Sequence, residues 1–127
     1  LGSKPDGSQF KVGIQYPYKD SSQYITAVSI TDMSVVTSGV YQRYFEQGGV
    51  RYHHIIDTQT LYPKNEFLSV SVLCTNSALG DALSTALFNM SFEEGKKLVE
   101  GLENTYAVWV DKNGNVFYSN GFEGYIK

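Results

Sequence analysis

The sequence predicts an α+β domain in which antiparallel strands cover one side of two consecutive helices. Segments that alternate with period two come first, two segments of helical period follow back to back, and a hairpin closes the chain. Helices do not alternate with strands, so a doubly wound parallel sheet is excluded. The 127 residues suit a single domain over 1–127. With 42% hydrophobic and 18% charged residues, a chain of this size can bury about two-thirds of its unfolded surface, which argues against disorder.

The strand assignments follow from alternation. Residues 10–15 read Phe-Lys-Val-Gly-Ile-Gln, apolar against polar or small, and end at Tyr16-Pro17. In residues 24–30, Tyr24, Thr26, Val28 and Ile30 share a face. A short strand at residues 35–37 meets Ser38-Gly39, and the β-prone segments 41–46 and 50–56 flank Gln47-Gly48-Gly49, a glycine connection that favours an antiparallel hairpin. Residues 68–74 are small, β-branched or apolar and read as a central strand. Segments 106–110 and 116–118 flank Asp111-Lys112-Asn113-Gly114, whose Asn-Gly step is a strong hairpin signal. The connections at residues 17–22 and 57–65 are the places where motion is expected.

The helices lie between. Residues 77–90 have Asn76 as N-cap and place Leu79, Ala82, Leu83, Ala86 and Leu87 on one face. The second helix begins at Ser91, where Ser91-Phe92-Glu93-Glu94 forms a capping box, and it turns Phe92, Leu98, Val99 and Leu102 inward. Ala78, Gly80, Ala82, Ser84 and Ala86 leave the first helix open to close approach by a backbone or a flat ligand, and tight helix-sheet packing explains them equally well. Gly80 costs about 1 kcal/mol of helix stability relative to Ala, so something compensates for it.

Thirteen acidic against ten basic side chains, with no Lys/Arg block, make nucleic acid and anionic membrane surfaces poor partners. The single Cys74 lies in an apolar run, which leaves no disulfide framework and no cysteine metal site. No apolar stretch approaches the roughly 20 residues of a membrane-spanning helix. The chain opens at Leu1 on a turn, without Met and without a charged-then-apolar leader, as a piece of a longer protein would.

The candidate chemistry concentrates at a few positions. Asp81 and Thr85, four apart, project from one helix face opposite the leucines and present hard oxygens of the kind Mg²⁺ takes. Two ligands alone hold such an ion weakly, and a solvated helix stripe has the same spacing. His53 and His54 are adjacent on a strand and face opposite sides, so they cannot form a paired metal site; at most one reaches a cleft, where it can relay a proton. Asp57 is placed to orient a histidine, bind a ligand or cap the turn before Thr58-Gln59-Thr60, and its spacing does not choose. Thr37-Ser38-Gly39 puts two hydroxyls and a glycine at a strand end, suited to a phosphate and equally to a plain turn.

In order, Lys11-Val-Gly-Ile-Gln15, Thr37-Ser-Gly39 followed by Tyr41, Arg43, Tyr44 and Phe45, His54-Ile-Ile-Asp57, Tyr62-Pro63 and Asp81-Ala-Leu-Ser-Thr-Ala-Leu87 resemble the C-terminal half of the ApbE-type FAD:protein FMN transferases. The resemblance implies a T-fold-like α+β arrangement of two similar halves around one flavin site. It implies cleavage of the FAD pyrophosphate with Mg²⁺, transfer of the FMN moiety to a threonine hydroxyl of an acceptor protein, and release of AMP. Asp81 and Thr85 match the family's metal pair, His54 its proton-handling histidine, and Thr37, Ser38 and Gly39, with Asp57, its cofactor-contacting residues.

The same resemblance implies an absent N-terminal half, an exposed apolar surface where that half docks, and an extracytoplasmic, lipid-anchored full-length protein. Family members often carry an acidic or amide residue at the position of Val40, an Asp at that of Tyr16, and Pro and Gly where this chain has Thr58 and Leu61. An FAD pyrophosphatase yielding FMN and AMP, and a non-catalytic flavin-binding module, are the competing readings.

Overall fold

The computed structural model describes residues 2–18, 21–41 and 43–126. The expected mobile connection at 17–22 therefore lies partly outside the described residues, at Lys19 and Asp20, as does Gln42 within the expected strand 41–46. The elements are β1 (Phe10–Gln15), β2 (Tyr24–Ile30), β3 (Ser34–Gly39), β4 (Tyr44–Gln47), β5 (Val50–His53), β6 (Phe67–Cys74), α1 (Ser77–Asn89), α2 (Phe92–Glu100), β7 (Tyr106–Asp111) and β8 (Val116–Tyr118), with a short 3₁₀ turn at Phe122–Tyr125.

Strands β3, β6, β7 and β8 form one antiparallel sheet in the order β3-β6-β7-β8. Alternation along its central strands divides the core. Val70, Val72 and Cys74 of β6, with Ala107 and Trp109 of β7, meet Leu83, Leu87 and Phe88 of α1 and Val99 of α2. Leu73 and Val108 point the other way, onto Ile14, Val28, Ile30, Met33 and Phe122. The sheet is thus a middle layer, with both helices on one face and the β1-β2 hairpin on the other. The antiparallel strands fall into three sheets, the β1-β2 and β4-β5 pairs standing as separate two-stranded units.

Local chemistry accounts for the boundaries. Asn76 accepts from the backbone N–H groups of Ala78 and Leu79, and Ser91 with Glu94 completes the capping box expected at α2. The β4-β5 turn is two residues, Gly48 and Gly49, both at positive φ (60° and 79°), the backbone that a tight hairpin requires and glycine adopts freely. At the last hairpin, Asp111 accepts from the N–H groups of Asn113 and Asn115. Strand β4 begins three residues later than expected and β5 ends three earlier, at His53, where the chain bends and Ile56 forms an isolated bridge to Pro63.

Two helix faces differ from expectation. In α1, Leu79, Ala82 and Ala86 are exposed, and Gly80, Leu83, Ser84, Leu87 and Phe88 are buried. The helix is turned by about one residue, roughly 100°, because Phe88 has more apolar surface to bury than Ala82 and Ala86 and because Gly80 permits contact with the sheet. A Cβ at Gly80 would lie 2.8 Å from Cys74 Sγ and 2.9 Å from Val36 Cγ2, so helix-sheet packing is what compensates for this glycine. In α2, Leu98 is exposed while Val99 is fully buried and Phe92 sets its ring edge-on to Trp109 at 5.2 Å.

Candidate functional site at the junction of β3 and α1

Alternation in β3 sends Val36 and Ser38 toward the helices and Thr37 toward the opposite face. There Thr37 Oγ1 meets Ser71 Oγ at 2.7 Å. Ser38 reaches α1, where its hydroxyl lies 2.8 Å from Ser84 Oγ and 3.2 Å from Thr85 Oγ1. Of the three strand-end residues singled out in the sequence, only Ser38 joins the helix pair. Gly39 is held free of a side chain by the Tyr41 ring, with the Leu68 carbonyl 3.3 Å from where its Cβ would stand.

Asp81 and Thr85 are exposed on one face of α1, opposite the buried Leu83 and Leu87. Among the described residues the Asp81 carboxylate has neither a hydrogen bond nor an ion pair, and its backbone carbonyl accepts from Ser84 Oγ at 3.1 Å. A free carboxylate and a hydroxyl one helical turn apart suit a small, hard divalent cation and supply two of its six positions. No group of three His, Cys, Asp or Glu close enough to hold a metal occurs among the described residues. The remaining positions would fall to water, substrate phosphate or other protein.

The two histidines separate as their adjacency requires. His53 is buried, edge-on to Phe88 of α1 at 5.6 Å. Its Nδ1 accepts from the Ile55 N–H (3.2 Å), so Nε2 carries the proton donated to the Lys64 carbonyl (2.7 Å). Burial pushes its pKa below the ordinary value, partly opposed by the Lys64 bond. His54 is exposed, and its Nδ1 can donate only a long bond to the Arg43 carbonyl (3.4 Å), which leaves Nε2 without a partner among the described residues. A groove of about 400 Å³ lined by Arg43, Tyr44, Phe45, Tyr52 and both histidines lies there. Arg51 sits 4.2 Å over the Tyr44 ring, and Phe45 stacks on Tyr52. Neither Asp81 nor Thr85 lines that groove.

Asp57 caps its turn. Oδ1 accepts from the N–H of Gln59 (2.8 Å) and of Thr60 (3.4 Å), and Lys64 Nζ approaches Oδ2 at 3.4 Å. These bonds, the one from Gln59 foremost, hold its pKa below the usual carboxylate value. It borders a depression shared with Asn89 and Glu94 at the C-terminal end of α1. Of the roles its spacing left open, turn capping is the one made here.

In the sequence Ser84 is a small residue within the Asp81–Leu87 run, with no role of its own. The structure buries it completely and places it between Ser38 and the Asp81 carbonyl. Its only sequence signal was a hydroxyl on a face otherwise built from Gly80, Leu83, Leu87 and Phe88.

With this geometry the chain resembles known proteins closely. It is 40% identical over 113 residues to an FAD:protein FMN transferase of Klebsiella pneumoniae, covering 88% of this chain and 36% of the relative. It is 39% identical over 114 residues to one of Treponema pallidum, covering 89% and 32%. Among solved structures, the ApbE protein of Thermotoga maritima superposes with a TM-score of 0.88 at 31% identity, over 99% of this chain and 41% of that one. The apo flavinyl transferase ApbE of Pseudomonas stutzeri superposes with a TM-score of 0.73 at 32% identity, over 98% and 39%. The chain therefore spans roughly a third of the length of these relatives. The model of the ApbE family matches residues 1–110, and the chain belongs to that family.

Proposed function

We propose that this chain is the C-terminal portion of a longer Mg²⁺-dependent FAD:protein FMN transferase. The observation that carries the reading is the exposed, unpartnered Asp81 carboxylate with the Thr85 hydroxyl one turn away. The names of the relatives support FAD as substrate and a protein as acceptor. A threonine oxygen of the acceptor forms a bond to the phosphorus that bears the riboflavin group. The bridging P–O bond breaks, and AMP leaves with the bridging oxygen. Asp81 and Thr85 would hold Mg²⁺, which would supply charge neutralisation at the pyrophosphate. His54, which is exposed and whose Nε2 has no partner among the described residues, takes the threonine proton. The rest of the flavin site and the remaining cation ligands come from the other half of the protein. The full-length protein is lipid-anchored outside the cytoplasmic membrane, a reading supported by the family resemblance alone.

The test uses the full-length protein with FAD, Mg²⁺ and an acceptor, and weighs the acceptor by mass spectrometry. The acceptor gains the mass of the FMN moiety with wild type and fails to gain it with Asp81→Asn or Thr85→Val. Unchanged transfer in both variants overturns the reading. FMN and AMP released with no gain in acceptor mass would make the protein an FAD pyrophosphatase.

A further inference from the structure

A count of hydroxyl protons at the β3-α1 junction decides how Thr85 is oriented. The Asp81 carbonyl can only accept, so the 3.1 Å contact spends the single proton of Ser84 on it. Ser84 Oγ must then accept at its 2.8 Å contact with Ser38, which spends the Ser38 proton in turn. With that proton committed, the 3.2 Å contact between Ser38 and Thr85 requires Thr85 to donate. The order is Thr85 to Ser38 to Ser84 to the Asp81 carbonyl, each oxygen giving one proton and the last group giving none. The Thr85 proton therefore points inward, toward the sheet, and the hydroxyl lone pairs not facing Ser38 are left for the solvent side that Asp81 shares.

We propose that Ser38 and Ser84 are positioning residues for the cation site, which they serve by holding Thr85 Oγ1 as an acceptor rather than a donor. This inference rests on the proposed Mg²⁺ role of Asp81 and Thr85. It adds two residues that never touch the ion. A hydroxyl free to rotate can turn its proton toward a cation and repel it; a hydroxyl whose proton is engaged cannot. Ser84 is fully buried and is the anchor of the chain, because the backbone carbonyl that receives its proton is fixed within α1. In Ser84→Ala the Ser38 proton loses its acceptor and becomes free to turn toward Thr85, driving the Thr85 proton outward. In Ser38→Ala the Thr85 proton has no acceptor on the sheet side.

The experiment is a Mn²⁺ titration of the full-length protein with FAD bound, read by electron paramagnetic resonance, alongside thermal melts without divalent ion. Ser84→Ala and Ser38→Ala each weaken Mn²⁺ binding by about five- to tenfold, the scale of one lost or reversed hydrogen bond, with little change in the metal-free melt. In a Thr85→Ala background, Ser84→Ala weakens binding no further, since its effect runs through Thr85. A purely structural serine would add its defect in both backgrounds. If Ser84→Ala fails to fold, Ser38→Ala and its pairing with Thr85→Ala decide alone. Wild-type Mn²⁺ affinity in the serine variants, with Asp81→Asn defective, overturns the relay and leaves the metal site standing. Wild-type affinity in Asp81→Asn as well removes the metal site, and the relay with it.

Discussion

Ser38 of β3 and Thr85 of α1 hold their hydroxyl oxygens 3.2 Å apart although 47 residues separate them in the chain. Strand β3 is the edge of the middle sheet, and α1 crosses it along a seam that runs from Val36 against Gly80 to Ser38 against Ser84. The contact is as close as it is because no side chain at position 80 holds the helix away.

Gly80→Ala tests that seam. Alanine improves intrinsic helix stability by about 1 kcal/mol, but its methyl group would meet Cys74 Sγ at 2.8 Å and Val36 Cγ2 at 2.9 Å. Overpacking of this kind costs about 1–3 kcal/mol. The expected outcome is a net loss of about 1 kcal/mol in urea denaturation. A variant more stable than wild type would mean that the helix can lift off the sheet without cost.

Leu61 stands at φ 60° and is 75% exposed, with its N–H bonded to the Asp57 carbonyl at 2.8 Å. A left-handed backbone costs an ordinary residue roughly 1–2 kcal/mol, and no packing at this exposed position offsets it. Leu61→Gly should raise stability by about 0.5 kcal/mol once the greater freedom of glycine in the unfolded chain is subtracted. Leu61→Ala, still strained, should give no gain. A destabilised Leu61→Gly protein would show that the leucine side chain matters more than its backbone.

His53 predicts an acid-sensitive fold. Burial lowers its pKa in the folded state below the ordinary value of 6.5, so between the two values the unfolded chain binds the extra proton and the folded one does not. Its contribution is complete above about pH 6.5 and is lost as pH falls through the lower, folded value. Denaturation midpoints followed downward from pH 7.5 should decline in this window. His53→Gln, which retains a donor toward the Lys64 carbonyl, should flatten the decline. An identical slope in both proteins would assign the effect to other groups.

His54 predicts a different split. In the full-length protein His54→Ala should lower the rate of FMN transfer by about 10²–10⁴-fold, the usual span for a lost general base, with Mn²⁺ binding retained, because its ring does not join Asp81 and Thr85. Transfer at the wild-type rate would remove His54 from the chemistry.

Much of this was legible in the sequence where the signal is local. The Asn76 cap, the Ser91-Glu94 box, the Gly48-Gly49 turn and the Asn113-Gly114 hairpin each depend on a few neighbouring residues, and each forms as expected. The exposure of Asp81 and Thr85 followed from helical period alone. The rotation of α1 did not, because periodicity weighs Ala82 and Ala86 as apolar, whereas packing favours Phe88 and the close approach at Gly80. Ser84 escaped for a related reason: its partner lies on β3, and no local rule pairs positions 38 and 84. The alternation that sends Thr37 away from Ser38 was available, but the separation of the sheets that gives it meaning was not.

The exposed side of α1 carries Leu79, Ala82 and Ala86 beside Asp81. Whatever protein surface covers those apolar groups also excludes water from the carboxylate. Two unit charges 4 Å apart attract by about 1 kcal/mol in bulk water and by about 4 kcal/mol at an effective permittivity near 20. Covering the greasy flank of the helix would therefore sharpen the electrostatic grip of its acidic residue, and cation binding that resists added salt in the intact protein would be the mark of that closure.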